Sequence, residues 1–360
     1  NFVNTTLVAY SGEIDAQKAA ADLMEAALLK DGVKMTHIIG PKTGHAYEPE
    51  AKKVVAKLVG EATNKGVNRE PKKVTLVTHS LKFNTAHWVT IDALEKHWEA
   101  ARVEAETTVS GASIKTKGVS ALTVNLITTK TKSMASVTID GERLATSPTA
   151  SLVKVDGKWR VQSAVGNRQS ELAKRHNLQG PIDDAFMDSF VMVRPTGQPL
   201  NAAVGQWVKT EMAEAAFHWR RYFRGEPRVK DDSAITDDDI KNSNLILWGD
   251  PSSNKLLARI ASKLPIQWSG KEIKVGGKSF DATKHAPAFI FPNPLNPSRY
   301  VVINSGFTFP QVAGASNSFQ TPKLPDWAIL DMSVPLAERV GGKGVVAADF
   351  FGEKWEVKAK

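Results

Sequence analysis

The period of the apolar residues changes twice along these 360 residues, and each change restricts what the chain can fold into. Over residues 5–66 short apolar runs alternate with amphipathic ones. "TTLVAY" and "KMTHIIG" suit strands. "DAQKAAADLMEAALLKDG" sets Ala19, Leu23, Met24, Ala26 and Ala27 at helical spacing with Gly32 behind them, and "PEAKKVVAKLVGEA" suits a second helix. Such alternation predicts βαβ units on a parallel sheet. Two strands are few for a sheet of that kind, so the segment reads as incomplete, with the rest upstream.

From residue 72 to 165 the period drops to two, in "KKVTLVTHSLKFNTAHWVTI", "VSALTVNLITT" and "ASVTIDGERL". Asp140-Gly141 and Asp156-Gly157 signal tight hairpins, because glycine accepts the positive φ these turns need. A small antiparallel β domain of sandwich type is expected, with one short helix near "DALEKHWEAA". Residues 180–360 return to an α/β pattern. "SFVMVRP", "SNLILWGD", "APAFIFP", "RYVVINSG", "DWAILD" and "GVVAADFF" read as strands, and "AVGQWVKTEMAEAAFHWRRYF", "TDDDIKN" and "PSSNKLLARIASKL" as helices, the last capped by Ser252 or Ser253. "VGNRQSELAKRHNLQG", residues 165–180, reads as the linker.

Net charge is +9, yet Lys and Arg are scattered and mostly sit beside acids, as in "EPEAKK". No basic block marks a nucleic-acid surface. No apolar run reaches the roughly 18–20 residues of a membrane span. Without cysteine there is neither a disulfide framework nor a thiol nucleophile. His79, His87 and His97 do not follow a zinc-ligand spacing. The aspartates of "GPIDDAFMD" and "RVKDDSAITDDDIKN" lack the EF-hand order and suit helix caps. No metal and no cofactor are expected. The tryptophans read as core rather than as sugar platforms.

Chemistry concentrates on two loops. Asp15 follows the first strand and His45, behind Gly44, follows the second. In α/β-hydrolases the triad runs Ser, Asp, His along the chain, each member at the carboxyl end of a strand. On that order Asp15 orients an imidazole, and His45 takes a serine proton and returns it to the leaving group. His37, inside a strand, reads as structural.

"AYSGEIDAQKAAADLMEAAL" followed by "HIIGPKTGHAYEPEAKKVV" resembles the end of the catalytic domain of prolyl oligopeptidase family serine hydrolases. Gly12-Glu13-Ile14-Asp15 and Gly44-His45 match that family's acid and base motifs. Stretches such as "LQGPIDDAFMDSFVMVRPTG" and "NPLNPSRYVVINSGFTF" resemble the C-terminal extension of an environmental bacterial branch. The resemblance implies an α/β-hydrolase piece over 1–66, an antiparallel β domain over 72–165 and a flavodoxin-like three-layer α/β domain over 180–360. It also implies a peptide or ester substrate and, for its relatives, export. No G-x-S-x-G elbow occurs; "GASNS" at 314–318 lacks the closing glycine. The expectation is therefore a hydrolase fragment with its nucleophile outside this chain, inactive by itself. The rival is a non-catalytic binding or structural protein. Its ligand or anion site would lie at the glycine loop of "LWGDPSSN", on Gly249, Ser252, Ser253 and Asn254, ahead of a helix N-terminus.

Overall fold

The strand–helix alternation of the first residues is realised as a two-stranded parallel sheet. Val8–Gly12 (β1) pairs with Thr36–Gly40 (β2). Lys18–Lys30 (α1) joins them, and Pro49–Lys65 (α2) follows. The second helix starts where its sequence directs: the Glu48 carboxylate accepts the Ala51 N–H at 2.6 Å and Pro49 occupies the first turn. These helices bury little, since α1 has no buried residue and α2 only Ala51. The computed structural model describes residues 1–129, 135–162, 172–308, 324–335, 338–339 and 342–358. It is a mixed α/β protein with several sheets. Among the described residues no helix is long and apolar enough to cross a membrane.

The chain divides into two units, one made of Asn1–His79, Phe83–Leu94 and Trp98–Ser163, the other of Ser80–Lys82, Glu95–His97 and Ala164–Lys360. In the first, the period-two region forms Lys73–Thr78 (β3), Thr85–Ala86 (β4), Val89–Leu94 (β5), Ala101–Thr108 (β6), Gly111–Lys117 (β7), Val119–Asn125 (β8), Ala135–Ile139 (β9), Glu142–Thr146 (β10), Thr149–Val155 (β11) and Lys158–Val161 (β12). Two five-stranded sheets result, ordered β10-β9-β7-β6-β3 and β12-β11-β8-β5-β4. Among the described residues only β7 and β9 pair in parallel within them. Alternate residues turn inward, as in β3, where Val74, Leu76 and Thr78 are buried. Asp140 and Gly141 both take positive φ between β9 and β10, as do Asp156 and Gly157 between β11 and β12. The helix expected near "DALEKHWEAA" does not form. Leu94 still pairs with Val119, the chain then turns with Trp98 at φ 71°, and β6 begins at Ala101.

In the second unit Phe190–Arg194 (β13) leads into Ala202–Phe223 (α3). Val229–Asp231 (β14), Asp237–Asn242 (α4), Asn244–Leu247 (β15) and Lys255–Ile260 (α5) follow. A three-stranded meander comes next: Gln267–Trp268 (β16), Glu272–Val275 (β17) and Lys278–Asp281 (β18). His285–Asn293 (β19), Asn296–Ile303 (β20), Trp327–Asp331 (β21) and Val345–Asp349 (β22) complete a seven-stranded sheet, ordered β14-β13-β15-β20-β19-β21-β22. The first four run parallel. The last three pairings are antiparallel, so the sheet is half parallel. Every residue of β15 is buried, as a strand covered on both faces requires. The α5 cap is Asn254, not Ser252 or Ser253. The expected linker is buried toward its end, at Lys174, Leu178 and Gln179, while residues 163–171 lie outside those described.

The acidic run before α4 builds a cap. Thr236 accepts the Asp239 N–H, and Asp239 accepts from the Thr236 N–H and from Lys230 at 2.7 Å. Burial pushes the Asp239 carboxyl up, but Lys230 and Thr236 outweigh it and hold it down at about 2. A depressed carboxyl stabilises above its unfolded value of 3.8, and that stability is lost as pH falls through about 2. Asp239→Asn is expected to cost about 1–2 kcal/mol at neutral pH. It should also flatten the acid limb of a urea titration within that window.

Candidate active site

Aligned residues of parallel strands point to one face. In the β1–β2 register Ala9 faces His37, so Ser11, two residues on from Ala9, shares that face with His37. The helix between the strands presents Asp22 and Glu25, one turn apart, to the same place. Ser11 Oγ lies 2.9 Å from His37 Nε2, and His37 Nδ1 lies 3.2 Å from Glu25 and 3.9 Å from Asp22. The carboxylate on Nδ1 favours a proton there and leaves Nε2 to accept from the serine hydroxyl. Ser11 is buried, and the His37 side chain is 5% exposed.

This array corrects two expectations. A hydroxyl, an imidazole and a carboxylate stand in series within the chain. The reading of a fragment that lacks its nucleophile, inactive for that reason, is therefore overturned, and so is the structural role given to His37. The elbow motif was the wrong signal, because Ser11 sits on a strand in Tyr10-Ser11-Gly12. The usable signal was cross-strand: a serine and a histidine on matching faces, with acids three apart on the connecting helix. Asp22, Glu25 and His37 also offer ligand atoms within 4.8 Å of one another. The Lys18 ammonium, 2.7 Å from Asp22, already neutralises one of these carboxylates.

Asp15 and His45 are brought together as well, Asp15 Oδ2 lying 2.9 Å from His45 Nδ1. Their loops are laced by backbone bonds, Glu13 N–H to the Gly40 carbonyl at 2.9 Å and Ile14 N–H to the Thr43 carbonyl at 3.1 Å. The Gln17 N–H and then the imidazole of His45 hold the Asp15 carboxyl below its ordinary value. Tyr10 stacks on Tyr47 at 4.4 Å, and its hydroxyl donates to the Ala46 carbonyl, which fixes the turn after His45. The His45 side chain is 77% exposed, and among the described residues its Nε2 carries no hydrogen bond. Ser11, Asp15 and His45 line one cleft of about 340 Å³, with Tyr10 and Tyr47 on its wall.

Gly12 allows the two loops to close. A Cβ there would run into the Thr43 and Gly44 carbonyl oxygens, directly before His45. Gly12→Ala is expected to displace the His45 loop, lower stability by about 1–3 kcal/mol and broaden the His45 ring resonances. Thermal melts and imidazole NMR would check it.

The Gly249–Asn254 loop is closed on itself. Asp250 accepts the N–H groups of Ser252 and Ser253, both at 2.9 Å, and Asn254 Oδ1 accepts those of Leu256 and Leu257 at 3.1 Å. These N–H groups are engaged within the loop and the first turn of α5. Of the other histidines, His97 places Nδ1 2.7 Å from Glu353. "GASNS" lies outside the described residues.

The chain matches no family model, no curated protein and no solved structure. The site defines a class by its own geometry. Ser11, His37 and Glu25 form the serine–histidine–carboxylate arrangement on which serine hydrolases and serine peptidases build a catalytic triad.

Proposed function

We propose that this chain is a serine hydrolase that transfers acyl groups from a peptide or an ester to water, with Ser11 as nucleophile. The observation that carries the reading is the unbroken series Ser11–His37–Glu25 beside a cleft that also holds Asp15 and His45. His37 Nε2 takes the Ser11 proton while Oγ bonds to the acyl carbon. The proton then passes to the leaving group as its bond to that carbon breaks, and water later releases the acyl group from Oγ by the same route in reverse. Glu25 holds the ring and stabilises the imidazolium. His45, fixed by Asp15 and open to the cleft, helps position the leaving group there.

The resemblance of Gly12-Glu13-Ile14-Asp15 and Gly44-His45 to prolyl oligopeptidase motifs supports the same chemistry and gives Asp15 and His45 the acid and base roles. A second reading follows from it: His45 is the base for the serine of this cleft, favoured by its unengaged Nε2. In the same proposal the first 66 residues are α/β-hydrolase in kind, 72–165 a β-sandwich and 180–360 flavodoxin-like. The two five-stranded sheets and the parallel half of the seven-stranded sheet support the last two.

A fluorophosphonate probe tests the reading, since it esterifies an activated Oγ with loss of fluoride. Mass spectrometry should place the label on Ser11. An unlabelled Ser11 under conditions that saturate a control hydrolase would make the array a structural network and sink the proposal.

A further inference from the structure

In the second unit the chain leaves β13 through α3 to β14 on one side, and leaves β15 through α5 toward β20 on the other. Between β13 and β15 the winding therefore reverses. Open α/β sheets bind ligands at such a point, in the crevice beyond the carboxyl ends of the two strands. A groove of about 830 Å³ lies there, bounded by the loop that follows Arg194, by Gly249 and Ser253 of the loop after β15, and by one face of α3. The volume is in the range that holds a small organic molecule.

The groove's chemistry is lopsided. Its floor is apolar, with Pro195, Pro199, Val204, Val208, Met212 and Ala216. Its charged lining consists of Arg194, Lys209 and Arg220, with no carboxylate among the lining residues. Arg194 holds Asp231 and Arg220 holds Glu226, in each case at 2.6–2.7 Å. Lys209 has no ion pair among the described residues. The Gly249–Asn254 loop has spent its N–H groups internally and serves as wall, so the charge that selects an occupant comes from side chains.

We propose that this groove binds an amphipathic carboxylate of fatty-acid type, its hydrocarbon chain lying along Val204, Val208 and Met212 and its carboxylate paired with Lys209. The inference is independent of the acyl-transfer reading, because it concerns a different unit and a ligand that is not turned over.

Titration of the full chain with decanoate, followed by calorimetry and by methyl shifts of Val204, Val208 and Met212, tests it. Saturable one-to-one binding with shifts at these methyls is expected. Lys209→Glu should weaken it about fivefold, and decanol should bind about fivefold more weakly, the size of one exposed ion pair. Ala213→Trp, at an exposed lining position, should block the groove and abolish binding without a change in melting temperature. Equal binding of decanol and decanoate would overturn the carboxylate assignment. Absence of saturation, or shifts unaffected by Ala213→Trp, would overturn the site.

Discussion

Ser11→Ala should lower acyl-ester turnover by on the order of 10⁴-fold or more, with little effect on KM, because the nucleophile acts only once the acyl carbon is in place. That is about 5 kcal/mol of transition-state stabilisation. His37→Ala should match it, and the double variant should be no worse than either single one, since groups that act as a unit are not additive. Glu25→Gln should cost about 10²-fold or more, less than the others because Asp22 stands 3.9 Å from the same nitrogen. Removal of His45 should cost about 10²-fold, the size of a misplaced leaving group. The comparison of the two histidines decides between the readings. If His45→Ala equals Ser11→Ala while His37→Ala retains activity, His45 is the base. If all four single variants keep wild-type rates, neither pair is catalytic.

The largest stability effect is expected inside the second unit. Lys174 Nζ donates to Asp326 Oδ2 at 2.6 Å, with both side chains wholly buried, and stands 5.1 Å from the Trp355 ring. The Phe351 N–H adds a bond of 3.0 Å to the same oxygen. Lys174→Met keeps the bulk but leaves a carboxylate in the core without its cation, which should cost about 3–5 kcal/mol. Asp326→Asn in that background should recover much of the loss. Burial already pushes the Asp326 carboxyl up, against the pull of Lys174. A raised carboxyl contributes fully below its unfolded value and loses that contribution as pH rises through the folded one. The Lys174→Met deficit should therefore shrink toward acid pH. Urea midpoints across the acid range would show it, and a variant within about 1 kcal/mol of wild type at neutral pH would refute the account.

What the sequence disclosed was local. Asp140-Gly141 and Asp156-Gly157 specify their hairpins without help from distant residues, and Thr236 to Asp239 specify a cap within four positions. Asp15 and His45 were legible as a pair because each follows a strand end that local pattern marks. Ser11 and His37 were not, because their meeting depends on the register of β1 against β2, which no local pattern fixes. Lys174 falls in a segment that reads as linker, yet it is buried against Asp326, 152 residues away. "DALEKHWEAA" looked helical, yet the pairing of Leu94 with Val119 outweighed that propensity.

The two halves of the seven-stranded sheet also differ in when they can form. The β19–β20 hairpin turns within Asn293–Asn296, where Asn293 Oδ1 accepts the Leu295 N–H at 2.9 Å, so its closure costs little chain entropy. The parallel half has no such shortcut: contacts beside β13–β15 join residues 54 apart, and those beside β15–β20 join residues 56 apart. A hairpin forms in about 1–10 μs, whereas long-range parallel pairing is slow. Refolding should then proceed from the antiparallel edge inward. The amides of Phe289–Phe291 would gain protection before those of Val191–Val193, and the strands that end at the groove would be the last to be set.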